Sequence, residues 1–206
     1  IIWICNPNNP TGTIITRQEQ EAFLEKVPRN ILVVLDEAYY EYARGGDYPE
    51  SVELLKEYHN IIILRTFSKA YGLAGLRIGY AISNREIISY INRVRGPFNV
   101  NAAAQVAALA ALEDDEFIKS TVETNEKGKR FLYEALESMG LSYIPTYTNF
   151  IMVKVNQDSR KVFSKLLQLG VIVRSGDIFG MTDWIRVTIG TPRENQLFIQ
   201  SLKKVL

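Results

Sequence analysis

The loop at residues 65–79 gathers two hydroxyls, a lysine, three glycines and an arginine directly after an apolar run. Thr66, Ser68 and Arg77 are suited to a phosphate, because hydroxyls and a guanidinium fork donate hydrogen bonds to its oxygens. Lys69 beside them could form a Schiff base with a carbonyl cofactor. Apolar and small residues flank these charges, which argues against a flexible, solvated surface loop. The loop matches neither the P-loop pattern nor the dinucleotide fingerprint.

Two further motifs also follow apolar runs. Residues 36–39 read Asp-Glu-Ala-Tyr. Asp36 could cap the next helix, or it could face a buried cation such as a protonated pyridine nitrogen. Residues 6–12 read Asn-Pro-Asn-Asn-Pro-Thr-Gly, which predicts a tight turn. Side-chain amides at the carboxyl end of a strand are also well placed to hydrogen-bond a ligand.

Arg174 and Arg186 lie at the end of, or within, strand-like runs near the carboxyl terminus. Taken singly, each could be a surface arginine. A charge inside an apolar strand, as at Arg186, usually meets a partner. That partner could be a structural carboxylate or a bound anionic substrate.

Together these groups fit one ligand. It carries a phosphate, an aldehyde that takes a lysine, a ring nitrogen that takes an aspartate, and a ring hydroxyl that takes an asparagine and a tyrosine. Pyridoxal phosphate has all four groups.

The elements that position these motifs begin with four short apolar runs rich in β-branched residues. Such runs predict strands buried on both faces of a parallel sheet. The capping box Thr16–Glu19 predicts a helix between the first two, and hence a βαβ unit. The four runs are 1–5, 31–35, 61–64 and 78–82.

Residues 100–139 read as mostly helix, with a break at Asp114–Asp115 and Gly140 just past the end. The remainder predicts a small α+β unit, with helices capped by Asp158 and Thr191. Its expected strands are 141–144, 150–155, 171–174 and 184–189. We therefore predict an α/β fold in three parts: 1–115, part of a large cofactor-binding domain; 116–140, a connecting helix; and 141–206, a small C-terminal domain.

Composition narrows the possible functions. The 206 residues carry 24 Lys and Arg against 23 Asp and Glu, a net charge of +1. This balance gives no electrostatic argument for nucleic acid or an anionic membrane surface. One cysteine and one histidine exclude a Cys/His zinc cage within the chain and an intrachain disulfide. We expect no metal, no membrane span and a cytoplasmic location. The chain opens inside an apolar run without Met, so we expect it to be the later portion of a longer protein.

At residues 6–12, 36–39, 66–79 and 184–190 the sequence closely resembles the fold-type-I pyridoxal-phosphate aminotransferases. Four motifs in the same order make the resemblance specific for that superfamily. Within it, the chain is most similar to the histidinol-phosphate aminotransferases. The resemblance implies a pyridoxal-phosphate-dependent transferase fold, with a mainly parallel sheet in the large domain. It also implies a homodimer.

The resemblance further implies the role of each residue toward the cofactor. Lys69 would hold the cofactor as a Schiff base and then move a proton, and Asp36 would pair with the pyridinium nitrogen. Asn9 and Tyr39 would hydrogen-bond the ring hydroxyl. The cofactor phosphate would be held by Thr66, Ser68 and Arg77.

For the substrate, Arg186 would bind an anionic group and Arg174 would help where the substrate carries a phosphate. The expected reaction transfers an amino group between histidinol phosphate and 2-oxoglutarate, a step of histidine biosynthesis. Three alternatives stay open. Two use the same fold for another reaction: an aromatic amino-acid aminotransferase and a phospho-amino-acid decarboxylase. The third is a non-catalytic binding module, against which the joint presence of Lys69 and Asp36 argues.

Overall fold

A computed structural model describes all 206 residues of the chain. It divides them into two compact units. The first unit holds residues 1–8 and 14–120, and the second holds residues 9–13 and 121–206. Each unit has its own four-stranded sheet. The three-part domain division expected from the sequence stays a prediction.

The sheet of the first unit is mixed and mostly parallel. Its strands lie in chain order, and the first three run parallel while the fourth is antiparallel to the third. The α/β class predicted from the sequence is confirmed. The strands are β1 (Ile2–Cys5), β2 (Val33–Asp36), β3 (Ile61–Thr66) and β4 (Gly79–Ile82).

Five helices belong to this unit. The first begins with the predicted capping box, in which Thr16 and Glu19 satisfy each other's backbone N–H groups. The fourth was not predicted, although Asn84 caps its first turn through the N–H of Ile87. The helices are α1 (Arg17–Lys26), α2 (Tyr40–Ala43), α3 (Ser51–Leu54), α4 (Arg85–Val94) and α5 (Ala102–Leu112).

Burial on both faces holds for only part of the sheet. In β2, Val33 and Leu35 are fully buried, with a core that includes Leu24 and Ile63. Along β1 and β4, by contrast, exposure alternates, and Trp3 is 68% exposed. The prediction for these two strands was wrong, because both lie at edges of the sheet and β4 runs antiparallel. An antiparallel edge strand can leave one face uncovered.

The second unit is α+β, as predicted. Its sheet has the order β5-β6-β8-β7 and every pairing is antiparallel. Leu136, Ile151, Ile185 and Leu202 are fully buried in its core. The strands are β5 (Tyr143–Ile144), β6 (Phe150–Lys154), β7 (Arg174–Ser175) and β8 (Trp184–Thr188).

Helix positions in this part of the chain agree with the sequence. Asp158 caps the second helix, and Thr191 begins the third in a capping box with Pro192 in its first turn. Gly140 adopts the left-handed conformation expected after a helix, with φ of 67°. The helices are α6 (Asp115–Ser138), α7 (Ser159–Gln168) and α8 (Pro192–Val205). The division between the units falls within α6. None of the helices is both long and apolar enough to cross a membrane.

Candidate active site

The hydroxyl and guanidinium groups of the 65–79 loop converge at one end of the β3–β4 pair. Thr66 pairs with Gly79 in the antiparallel register, so Arg77 returns close to the point where the loop begins. The Arg77 Nη1 donates to the Ser68 Oγ over 3.4 Å, and the Ser68 N–H donates to the Thr66 Oγ1 over 3.1 Å. A Cβ at Gly79 would lie 2.8 Å from the Arg65 carbonyl oxygen, so this approach requires glycine. The result is a donor set suited to a phosphate.

Aromatic packing holds this loop in place. Phe67 is 3% exposed, and its ring lies 4.9 Å from that of Tyr71 and 5.6 Å from that of Tyr80. Its N–H donates to the Ile78 carbonyl, which closes the loop at its base. Because Phe67 and Ala70 are buried, the residues between them are fixed while staying only partly covered.

Lys69 faces a tyrosine from a neighbouring strand end. Its Nζ lies 5.4 Å from the centre of the Tyr39 ring, within the range of a cation–π contact. Tyr39 is 6% exposed and follows β2. The structure therefore brings together the two motifs that were expected to share a cofactor.

Asp36 is the last residue of β2, and its neighbours in register are Cys5 on β1 and Leu64 on β3. One carboxylate oxygen accepts the N–H of Ala38 over 3.2 Å, which forms a local turn. No side chain caps α2, whose N-cap residue is Tyr39. The helix-cap alternative for Asp36 is therefore wrong.

A buried ion pair stands next to these residues, and the sequence reasoning assigned it no role. The Arg65 Nη2 lies 2.8 Å from the Glu37 Oε2, with side chains 10% and 1% exposed. The Arg65 guanidinium also lies 3.4 Å from the Tyr40 ring centre. Burial raises the pKa of Glu37, while the Ser51 hydroxyl and Arg65 act to lower it. The position of both residues directly after apolar runs was the available signal.

A second carboxylate near this pair is also buried. Glu41 is 4% exposed, and burial raises its pKa against the opposing charges of Arg65 and Arg44. The Arg65 guanidinium pairs directly with Glu37 and favours the charged form of Glu41 only through its charge.

In the second unit, Arg186 meets an amide. Its Nη1 donates to the Asn9 Oδ1 over 2.5 Å, and its guanidinium lies 4.9 Å from the Phe150 ring centre and 5.7 Å from that of Phe179. The Asn9 amide is therefore one partner of Arg186, which neither of the two partners considered from the sequence had anticipated. The loop that carries Asn9 is held by Gly12, whose carbonyl accepts the N–H of Tyr147.

Arg174 stands directly opposite Arg186 in the β7–β8 register. Like charges directly opposite on neighbouring strands destabilise a sheet. Arg174 is exposed and has no ion-pair partner. An anion bound between the two guanidinium groups would relieve the repulsion.

The structure contains no group of three or more His, Cys, Asp or Glu side chains that could hold a metal ion.

Comparison with known proteins identifies the family of the chain. The profile of the family "Aminotransferase class I and II" matches residues 1–202. The chain belongs to this family. The structure also superposes on solved aminotransferases. The histidinol-phosphate aminotransferase from Sinorhizobium meliloti, solved in complex with pyridoxal-5'-phosphate, superposes with a TM-score of 0.92 at 31% identity. The match covers 98% of this chain and 56% of that one.

Curated aminotransferases are closer in sequence. Histidinol-phosphate aminotransferase 2 from Carboxydothermus hydrogenoformans is 56% identical over the whole of this chain. Histidinol-phosphate aminotransferase from Moorella thermoacetica is 54% identical, also over the whole chain. The chain spans 57% and 54% of the lengths of these two relatives.

Proposed function

We propose that the protein is a pyridoxal-phosphate-dependent aminotransferase, and that it exchanges an amino group between histidinol phosphate and 2-oxoglutarate in histidine biosynthesis. The observation that carries the reaction class is the grouping in the first unit: Lys69 faces Tyr39, and the phosphate donors converge on the same loop. The names of the relatives, at 54% to 56% identity, support the choice of substrate.

The residues fit the cofactor by their chemistry. Two hydroxyls and a guanidinium match a phosphate, a lysine matches an aldehyde, and a strand-end carboxylate matches a protonated ring nitrogen. When bound, pyridoxal phosphate supplies an electron sink and carries the amino group between its amine and aldehyde forms.

Each side chain then has a defined task. The Lys69 Nζ binds the cofactor covalently and moves the proton that leaves the substrate Cα. The Asp36 carboxylate keeps the ring nitrogen protonated, because an adjacent negative charge favours the charged form. Tyr39 and Asn9 hydrogen-bond the ring hydroxyl. The phosphate is held by Thr66, Ser68 and Arg77.

The opposed arginines support a phosphorylated substrate. We assign Arg186 to the substrate's anionic group and Arg174 to its phosphate, since two arginines opposite each other in strand register favour a ligand with negative charge. A phospho-amino-acid decarboxylase would use the same pair, whereas an aromatic aminotransferase would not need Arg174.

The first experiment tests the chemistry directly. The full-length protein is incubated with pyridoxal phosphate, its visible spectrum is recorded, and it is reduced with borohydride before peptide mapping by mass. We expect the cofactor mass on Lys69. An absence of adduct on any lysine would favour the non-catalytic binding module.

A substrate panel then separates the reactions. We expect amino transfer from histidinol phosphate to 2-oxoglutarate, with lower kcat/KM for histidinol and for aromatic amino acids. Equal kcat/KM with and without the phosphate ester would contradict the proposed substrate. Release of carbon dioxide from a phosphorylated amino acid would indicate the decarboxylase.

We also propose a cytoplasmic homodimer. The resemblance to the family supports the dimer, and the presence of a single cysteine, Cys5, outside any disulfide fits a reducing compartment. The first unit exposes large apolar side chains that a partner could cover, including Val94 at 83% and Phe98 at 100% exposure.

A further inference from the structure

A continuous series of buried polar side chains crosses the first unit beneath the ends of β1, β2 and β3. The Asn6 Nδ2 donates to the Gln20 Oε1 over 3.2 Å, and the Gln20 Nε2 donates to the Ser51 Oγ over 2.9 Å. The Ser51 hydroxyl in turn favours the charged form of the Glu37 carboxylate and so lowers its pKa, against the larger effect of burial. All four residues are at most 2% exposed. The series therefore links residues that lie far apart along the chain.

The series ends at Arg65. The Arg65 Nε and Nη2 both approach the Glu37 Oε2, at 2.9 and 2.8 Å, and the Tyr40 ring covers the guanidinium. Tyr40 is held in turn by a 2.8 Å hydrogen bond from its hydroxyl to Glu50. A planar guanidinium fixed in this way has one orientation, which a lysine ammonium could not reproduce.

These side chains stand next to the proposed cofactor residues in the sequence. Glu37 follows Asp36, and Arg65 precedes Thr66. The backbone adds two bonds, from the Asn6 N–H to the Asp36 carbonyl and from the Glu37 N–H to the Leu64 carbonyl, at 3.0 and 2.9 Å. A shift of the ion pair would therefore move both strand ends that carry cofactor ligands.

Stability alone does not account for a buried ion pair. Removing two charges from water costs about as much as their attraction returns, and apolar replacements are often neutral or stabilising. What a buried pair does supply is a fixed geometry between the segments it joins.

We propose that the Glu37–Arg65 pair is a positioning device for the cofactor. It sets the distance between Asp36, which faces the ring nitrogen, and Thr66, which faces the phosphate, so that one rigid ligand satisfies both. This inference rests on the proposed function. Neither Glu37 nor Arg65 touches the cofactor in this assignment, so both are positioning residues.

The test separates positioning from stability by comparing a single variant with a double one. Arg65→Met leaves Glu37 buried without its guanidinium partner, so we expect a lower melting temperature. Affinity for pyridoxal phosphate, measured by reconstituting the full-length apoprotein, should fall at least about tenfold. In the double variant Glu37→Gln/Arg65→Met, the introduced amide keeps a partner for Ser51 and neither position carries a charge. The buried Glu41 loses the charge of Arg65 in the single and the double variant alike, so it does not affect the comparison between them. We expect the double variant to recover most of the melting temperature that Arg65→Met loses. Its affinity for pyridoxal phosphate should stay low, and the absorption maximum of its bound cofactor should differ from that of the wild type, as in the single variant.

Val33→Ala is the matched control. It opens a cavity in the same sheet, at the opposite end of β2, and should lower the melting temperature without changing cofactor affinity or spectrum. The inference is overturned if the double variant binds the cofactor as the wild type does, or if Val33→Ala loses affinity to the same extent. Failure of the wild-type protein to bind pyridoxal phosphate at all would instead refute the proposed function, and this inference with it.

Discussion

At the residue scale, Lys69 is the group on which the proposed chemistry depends most. Its Nζ is held near Tyr39, on a loop fixed by two buried neighbours, Phe67 and Ala70. A lysine in a fixed position can both bond an aldehyde and transfer a proton.

We predict that Lys69→Ala lowers kcat by at least about 10²- to 10⁴-fold, the contribution of a positioned proton-transfer group. Cofactor affinity should persist in part, because Thr66, Ser68 and Arg77 remain. Steady-state kinetics and equilibrium dialysis measure the two effects. Lys26→Ala, which removes an exposed lysine of α1, serves as the control and should leave both unchanged. Full turnover by the Lys69 variant would refute the central assignment.

Asp36→Asn removes a charge while keeping the oxygen that accepts the Ala38 N–H. A neighbouring opposite charge shifts a pKa by about 1 to 3 units, so we expect kcat to fall by about 10- to 1000-fold. The melting temperature of the apoprotein should change little. Asp47→Asn, at an exposed position, is the control. An unchanged kcat for Asp36→Asn would show that the carboxylate does not act on the ring nitrogen.

Arg174→Ala tests the substrate assignment. A hydrogen bond to a charged group contributes about 1.5 to 3 kcal/mol, so kcat/KM for histidinol phosphate should fall by about 10- to 100-fold. The kcat/KM for an amino donor without a phosphate should not change, because Arg174 is assigned to the phosphate alone. Its exposed position opposite Arg186 makes a structural effect of the substitution small. Equal losses for both donors would assign Arg174 a general role instead.

At the element scale, local signals determined much of what could be predicted. Helix starts at Thr16, Asp158 and Thr191 were predictable because a cap needs only residues a few positions apart. Strand existence was also predictable from short apolar runs. The direction of β4 and the exposure of β1 were not, because a strand's neighbours and its place in the sheet are set by distant parts of the chain.

The same limit applies to the candidate site. Every proposed cofactor ligand lies in a motif that could be read from the sequence. The series from Asn6 through Gln20 and Ser51 to Arg65 could not, because its members come from separate elements and each has an ordinary surface or cap role in isolation. Arg186 shows an intermediate case: its need for a partner was predictable, but the partner, Asn9, was not.

The capping box of α8 provides a stability prediction. Thr191→Ala should lower the free energy of unfolding by about 1 kcal/mol at pH 7, because the Glu194 N–H and carboxylate both lose the hydroxyl. Thr191 holds the pKa of Glu194 below its ordinary value, so its carboxylate contributes stability above the unfolded-state pKa, about 4.3, and loses it as the pH falls further. The effect of the substitution should therefore shrink in acid.

Urea unfolding at pH 7 and at about pH 3.5 measures this difference. Thr124→Ala, at an exposed position in the middle of α6, is the control and should be neutral or slightly stabilising. The Thr191 N–H still donates to the Glu194 carboxylate in this variant, so an equal effect at both pH values would mean that the hydroxyl's own bond to that carboxylate does not contribute to stability.

At the scale of the whole molecule, the exposed apolar side chains of the first unit support self-association. Phe98 is fully exposed and has a φ of 53°, an unusual conformation for a bulky residue. Val94, at the end of α4, is also largely exposed. Large exposed apolar residues in one region commonly mark a protein–protein interface.

We predict that sedimentation velocity of the full-length protein gives a dimer, and that Phe98→Asp raises its dissociation constant by at least about tenfold. Leu197→Asp, on the exposed side of α8 in the second unit, should leave association unchanged. A monomer at all concentrations would refute the homodimer, and a dimer unaffected by Phe98→Asp would place the interface elsewhere.

The return of β4 alongside β3 has a consequence for how this family can vary in length. Both ends of the 65–79 loop are anchored at one sheet edge, by the Thr66–Gly79 pair and the bond from Phe67 to Ile78. Gly75 has open space around it, so extra residues near it would lengthen the loop at its tip. The phosphate donors at the base of the loop would stay together. One residue inserted between Arg77 and Gly79 would instead disturb the bond from Phe67 to Ile78 and move the arginine away from Ser68. Insertions and deletions among homologues should therefore gather at the tip of the loop and be missing from its base.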